Sequence, residues 1–258
     1  MALLSCHLYS SVLKMGTGVN VILPVDRNPS SRKLPLKTVY LLHGLSDDYT
    51  CWLRYSNVES YALAHNFAIV MPEVQHSFYT DMKSGLPYFT YISQELPALC
   101  EEMFPLSTKR EDRFVAGLSM GGHGALKCAL TYPDRYAACG AFSSAIDIRK
   151  LFAHPDSSPI AGEIPAIYGE QISDQEDVFF LAQQAASSTH SLPKLFLSCG
   201  TEDSLYENNE RFYQHVQSLG YSVKGYEAKA GHEWPFWDES IRQALDYFDC
   251  NTEGRVSF

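Results

Sequence analysis

The chain has 258 residues, of which 45% are hydrophobic and 19% charged, and 30 acidic against 20 basic side chains give a formal net charge of −10. That length and composition suit a globular chain with a substantial buried core. The acidic balance argues against nucleic acid or an anionic membrane as a main partner, and modestly against an acidic polymer as substrate.

Seven cysteines, Cys6, Cys51, Cys100, Cys128, Cys139, Cys199 and Cys250, include no Cys-x-x-Cys pair, and several sit in apolar runs. They read as reduced, mostly buried thiols. Residues 1–9 lack the basic start and long apolar core of an export signal, and no run is long enough to span a bilayer. The expectation is a cytoplasmic protein.

The first two expected elements are strands, 3–9 and 19–23, joined by a turn at Gly16-Thr17-Gly18 and paired antiparallel at a sheet edge. A polar loop follows over 24–35. Residues 37–42 are too apolar for a half-exposed strand and predict a buried parallel one. Strands and helices then alternate. Strands are expected at 67–71, 113–117, 137–142, 194–199 and 222–228, and helices at 93–103, 121–130, 207–219 and 241–248. About eight mostly parallel strands with helices on both faces make an α/β chain with one doubly wound sheet and an antiparallel start. The stretch 143–191, with Pro155, Pro159, Gly162, Pro165 and Gly169, breaks the alternation. An insertion there, above the carboxyl edge of the sheet, predicts a small cap within a single domain spanning 1–258.

Residues 114–126 read as a short apolar strand, a glycine-framed serine and a helix start. The pattern Gly117-x-Ser119-x-Gly121 is that of a nucleophile elbow. A strand that turns at once into a helix strains its central residue and crowds the positions two away, so glycine is needed there. A serine hydroxyl needs a base within hydrogen-bond reach and an acid behind that base. In this topology the chain order is serine, acid, histidine, each just past a strand's carboxyl end. The strand at 194–199 runs into Gly200-Thr201-Glu202-Asp203, and the strand at 222–228 into Lys229-Ala230-Gly231-His232. Asp203 and His232 therefore occupy the expected loops, with Glu202 as the competing acid. Among rival histidines, His65 precedes a strand, His123 belongs in the elbow helix, and His76 falls too early in the chain for the base but could line the site. Two backbone donors are needed for the oxyanion. Met120 N–H follows the nucleophile, and Leu45 N–H lies in the loop His43-Gly44-Leu45 after the strand at 37–42.

Together these residues resemble an α/β-hydrolase. The run Gly117-Leu118-Ser119-Met120-Gly121-Gly122-His123-Gly124-Ala125 resembles the elbow of the esterase D-like family, which includes S-formylglutathione hydrolases, feruloyl and acetyl-xylan esterases and mycolyltransferases. The blocks Leu41 to Asp47, Met71 to Val74, Ser77 to Met82, Cys199 to Asp203 and Gly231 to Trp234 are more similar still to the bacterial tributyrin esterases. The resemblance covers nearly the whole chain. It implies a cytoplasmic, cofactor-free carboxylesterase acting on short-chain acyl esters, often as a homo-oligomer. The loop at His43-Gly44-Leu45-Ser46 departs from the cysteine-bearing run of S-formylglutathione hydrolases, which lowers a thioesterase reading and leaves it as the alternative. A non-catalytic binding protein on the same fold is the alternative of another class.

Aromatic residues crowd the expected loops. Trp52, Phe78, Tyr206 and Trp234 are candidates for the substrate pocket, and His76, with Glu73 and Gln75, for an alcohol moiety such as a sugar. No His-Glu-x-x-His or paired-cysteine spacing points to a metal, and no phosphate-binding glycine motif is present.

Overall fold

A computed structural model describes residues 1–25, 34–153 and 160–249. Most of the loop expected at 24–35, part of the 143–191 insertion and Cys250 lie outside the described residues. The eight strands are β1 (Ala2–Ser10), β2 (Met15–Leu23), β3 (Lys37–Leu42), β4 (Phe67–Pro72), β5 (Arg113–Leu118), β6 (Ala138–Phe142), β7 (Lys194–Gly200) and β8 (Val223–Ala228). They form one sheet in the order β1-β2-β4-β3-β5-β6-β7-β8. β1 pairs antiparallel with β2, β2 antiparallel with β4, and every later pairing is parallel.

The first hairpin differs from expectation. Gly16 and Gly18 lie inside β2, and the chain reverses over residues 11–14, with Lys14 at φ 57°. The Glu95 carboxylate accepts from Ser11 and Val12 N–H at 2.7 and 3.2 Å. A distant acid thus satisfies the turn's donors, and no local turn signal is required.

Side chains of the central strands alternate between two cores. Val39, Leu41, Phe114 and Ala116 point to one face, and Tyr40, Leu42 and Val115 to the other. The first face is covered by α1 (Cys51–Tyr55), α2 (Val58–His65) and α10 (Trp234–Asp249). On it, Phe114 stacks on Phe248 with ring centres 5.0 Å apart. The opposite face is covered by α3 (Tyr88–Thr90), α4 (Leu96–Met103), α5 (Met120–Thr131), α8 (Val178–Ala186) and α9 (Tyr206–Ser218). The helical run expected from 93 starts at Tyr88 and passes through one π turn, Tyr91–Glu95, into α4. Pro97 has no N–H to give Ser93, and the freed Ser93 carbonyl accepts from the Arg135 guanidinium at 2.9 Å.

The 143–191 stretch divides into two parts. Its first part carries α6 (Ile148–Leu151) and α7 (Ile164–Tyr168) and rests on the loop after β4, where Lys83 and Ser84 N–H donate to Ile167 and Ala166 carbonyls at 3.0 and 2.8 Å. Its second part is α8, which buries Val178, Leu181, Ala182 and Ala185 at helical spacing and packs on α5. That part belongs to the layer covering the sheet. Buried Lys127 of α5 ties the segment before α8 to the loop after β4, pairing with Glu176 and donating to Thr80 Oγ1 at 3.2 Å. Among the described residues no helix is long and apolar enough to cross a membrane.

Candidate active site

The elbow is built from two close approaches. A Cβ on Gly117 would run into the Gly121 backbone, and one on Gly121 into the carbonyls of Leu42 and His43. Between them Ser119 adopts φ 53° and ψ −115°, a sparsely populated conformation for a side-chain-bearing residue. Neighbouring backbone holds it there: Ser119 N–H donates to Phe142 O at 2.8 Å, and Ala145 N–H donates to Ser119 O at 3.1 Å.

His232 and Asp203 come to this serine from the loops after β8 and β7. His232 Nδ1–H donates to Asp203 Oδ2 at 2.7 Å, which leaves Nε2 to accept from Ser119 Oγ at 3.0 Å. The second carboxylate oxygen of Asp203 accepts from Leu205 N–H at 2.9 Å. Burial opposes the charge on Asp203, but the hydrogen bonds from His232 and Leu205 prevail and hold its carboxyl below the usual range. Glu202 points outward, 59% exposed, 3.6 Å from Lys229. The indole of Trp237 meets the His232 ring nearly at right angles, 4.8 Å between centres.

The loop after β3 lies against the serine. His43 is buried; its Nδ1–H donates to Gly44 O at 2.8 Å, and its Nε2 accepts from Val74 N–H at 3.2 Å. The Tyr79 hydroxyl donates to His43 O at 2.9 Å. Residues 44–47 close a turn through Asp47 N–H to Gly44 O at 3.3 Å, with Ser46 at φ 66°. Among the described residues Leu45 N–H has no protein acceptor. Met120 N–H opens α5, where no intrahelical acceptor exists.

The other histidines are held elsewhere. His65 faces Asp246 and Asp249. His123 is buried and donates through Nδ1 to Ala145 O at 3.1 Å, and burial with the nearby Lys127 charge pushes its pKa down to about 3. His76 bridges to Glu163 on the insertion at 3.1 Å.

The pocket candidates scatter. Trp52 is 1% exposed and Phe78 2%, so both are core residues. Trp52 donates Nε1–H to Leu42 O at 3.1 Å, and Phe78 packs on His123, Phe152 and Tyr168. Tyr206 binds Glu227 at 2.6 Å and lines a separate cavity of about 270 Å³ between α9 and β8. Trp234 is half-buried against Trp52 and Trp237, so it does reach the surroundings of His232. His76 lines a polar cleft of about 370 Å³ with Ser46, Asp47, Glu73, Gln75 and Glu163. Trp237, one of the aromatic residues that crowd the expected loops, does lie beside His232, whereas Asp47 was not expected at the site, because only the folded turn brings it near Ser119. Among the described residues no group of three or more His, Cys, Asp or Glu side chains is placed to hold a metal ion.

Residues 10–248 match the family described as putative esterase. The chain is 31% identical to the acetyl esterase of Caldicellulosiruptor saccharolyticus, over 96% of this chain and 98% of that protein. It superposes with a TM-score of 0.88 on the fluorophosphonate-binding serine hydrolase F of Staphylococcus aureus, and with 0.85 on the S-formylglutathione hydrolase FrmB of the same organism. Each is 34% identical to it, covering 96% of this chain and 98% of the other. The chain thus belongs to the putative esterase family of the α/β-hydrolases.

Proposed function

We propose that this esterase is a serine carboxylesterase that hydrolyses short-chain acyl esters, of the tributyrin and p-nitrophenyl butyrate type and including acetylated sugars, through a Ser119–His232–Asp203 triad. The observation that carries this reading is the unbroken relay from Asp203 through His232 to Ser119, at 2.7 and 3.0 Å. His232 takes the Ser119 proton as Oγ attacks the ester carbonyl. The N–H groups of Leu45 and Met120 receive the negative charge on the carbonyl oxygen, and His232 then protonates the leaving alcohol. Water, deprotonated by His232, attacks the acyl-serine and releases the acid. Asp203, ionised throughout, fixes the His232 tautomer and stabilises the imidazolium formed in both steps. Support for a short acyl group comes from the likeness to an acetyl esterase.

The likeness to S-formylglutathione hydrolases favours a thioesterase as the second reading. A p-nitrophenyl ester series from acetate to laurate, run with glutathione thioesters alongside, separates the two. The proposal expects a maximum at acetate to hexanoate, complete loss in Ser119→Ala, and fluorophosphonate labelling of the wild type alone. Turnover surviving Ser119→Ala overturns it, and a preference for the thioester moves the assignment to the second reading.

A further inference from the structure

The helix α9 carries a polar residue on its buried stripe. Asn209, Phe212 and Val216 face inward at helical spacing, and beside two apolar side chains Asn209 presents a carboxamide that is only 7% exposed. Such a group is kept in a core when its donors and its acceptor are met. Here both are. Asn209 Oδ1 accepts from Ser144 N–H at 3.1 Å, and Nδ2 donates to Ser144 O at 3.0 Å and to Leu205 O at 2.9 Å.

Both sets of partners lead to the candidate relay. Ser144 lies in the strap of residues 143–145 that leaves β6. This strap and the end of β6 take up both backbone groups of Ser119, Phe142 O accepting from its N–H at 2.8 Å and Ala145 N–H donating to its carbonyl at 3.1 Å. On the other side, Leu205 N–H donates to Asp203 Oδ1 at 2.9 Å. One carboxamide thus spans from the segment that holds the nucleophile to the turn that holds the acid. The strap is not regular secondary structure, and Ser143 within it sits at φ 43°, in the left-handed region. Its other anchors are Ser143 N–H to Ser198 O at 2.7 Å and His123 Nδ1–H to Ala145 O at 3.1 Å. Ser144 itself is fully buried, so without Asn209 its N–H loses its acceptor and the strap must shift to find another.

We propose that Asn209 is a positioning residue that sets the spacing between Ser119 and Asp203. This rests on the reading of Ser119, His232 and Asp203 as the triad. Asn209 acts through the strap and the Asp203 turn, not on the reacting atoms. The His232 imidazole fills the gap between acid and nucleophile, 2.7 Å from Asp203 and 3.0 Å from Ser119. Both contacts are near the ideal hydrogen-bond length, so a drift of either segment breaks one of them. A misplacement of about 1 Å at a reacting group lowers the rate by about a hundredfold.

The test uses Asn209→Leu, which keeps the volume and removes the hydrogen bonds, and Asn209→Ala, which adds no bulk. Val216→Ala, further along the same buried stripe, controls for a loosened α9. Hydrolysis of p-nitrophenyl acetate is followed per site titrated with a fluorophosphonate, alongside thermal melts. Both Asn209 variants are expected to lose about ten- to a hundredfold in kcat with KM within about twofold of wild type, because acylation and deacylation both pass through His232. Val216→Ala is expected to melt earlier and to keep kcat within about twofold. In the Asp203→Asn background, Asn209→Leu is expected to lose less than about threefold, because spacing no longer matters to a relay already broken. A kcat loss under about tenfold in the Asn209 variants, or a change carried in KM, overturns the proposal. So does an equal kcat loss in Val216→Ala, an undiminished loss in the Asp203→Asn background, or failure of both Asn209 variants to fold. Turnover surviving Ser119→Ala would instead overturn the triad reading beneath it.

Discussion

The relay to Ser119 depends on one of two adjacent acids, and replacing each in turn weighs them. Asp203→Asn removes a carboxylate whose Oδ2 lies 2.7 Å from His232 Nδ1 and whose side chain is fully buried. With an effective dielectric constant of about 20, opposite unit charges at that 2.7 Å separation attract by about 6 kcal/mol. The His232 side chain is 38% exposed, so solvent screens part of this and about 4 kcal/mol remains for the imidazolium formed in the transition state. That corresponds to a fall of about a thousandfold in kcat/KM. An asparagine amide facing Nδ1 also favours the wrong tautomer, which deepens the loss. Glu202→Gln removes a carboxylate in solvent beside Lys229, and its kcat/KM is expected to stay within about twofold of wild type. The assay is p-nitrophenyl acetate hydrolysis at neutral pH, normalised to sites titrated with a fluorophosphonate, with thermal melts confirming the fold. A thousandfold loss in Glu202→Gln, or a loss under tenfold in Asp203→Asn, would refute the assignment of the acid.

Two further outcomes concern buried groups outside the relay. His123 is held neutral in the folded chain, its pKa pushed down to about 3 by burial and by Lys127, whereas in the unfolded chain it titrates near the ordinary value of about 6.5. The unfolded state therefore binds the extra proton between those values. The stability His123 contributes is present above about pH 6.5 and is lost as pH falls towards about 3, at up to about 1.4 kcal/mol per pH unit. Urea unfolding of His123→Gln between pH 4 and 7 should show a shallower slope than wild type, and an unchanged slope contradicts this account. Lys127→Met strands the Glu176 carboxylate in a site where it is only 13% exposed, at a cost of about 3–5 kcal/mol. The double variant Lys127→Met/Glu176→Leu should recover much of that in denaturant titration, and strictly additive losses would show that the two side chains are not coupled.

Much of the scaffold was legible because its signals are local. The strands at 37–42, 67–71, 113–117 and 194–199 are mostly apolar runs, the form a strand takes when both faces are covered, and the sheet places all four inside its edges. The reversal at 11–14 was not legible, because its donors are met by Glu95 from far along the chain. Nor was the early start of α3 at Tyr88, since the carbonyl that Pro97 leaves unpaired is satisfied by Arg135 of another loop. α8 was hidden inside a stretch rich in proline and glycine, although its buried positions repeat at helical spacing.

The candidate site divides along the same line. Sequence order and the glycine frame alone pick out Ser119, and the loops after β7 and β8 offer Asp203, Glu202 and His232, because backbone crowding and strand ends are properties of short segments. Tertiary structure decided which carboxylate meets the imidazole, since adjacent side chains diverge and only one can turn inward to His232. It also decided that Trp52 and Phe78 serve the core. Those outcomes depend on which distant surfaces come together around each side chain, and spacing along the chain carries no record of that.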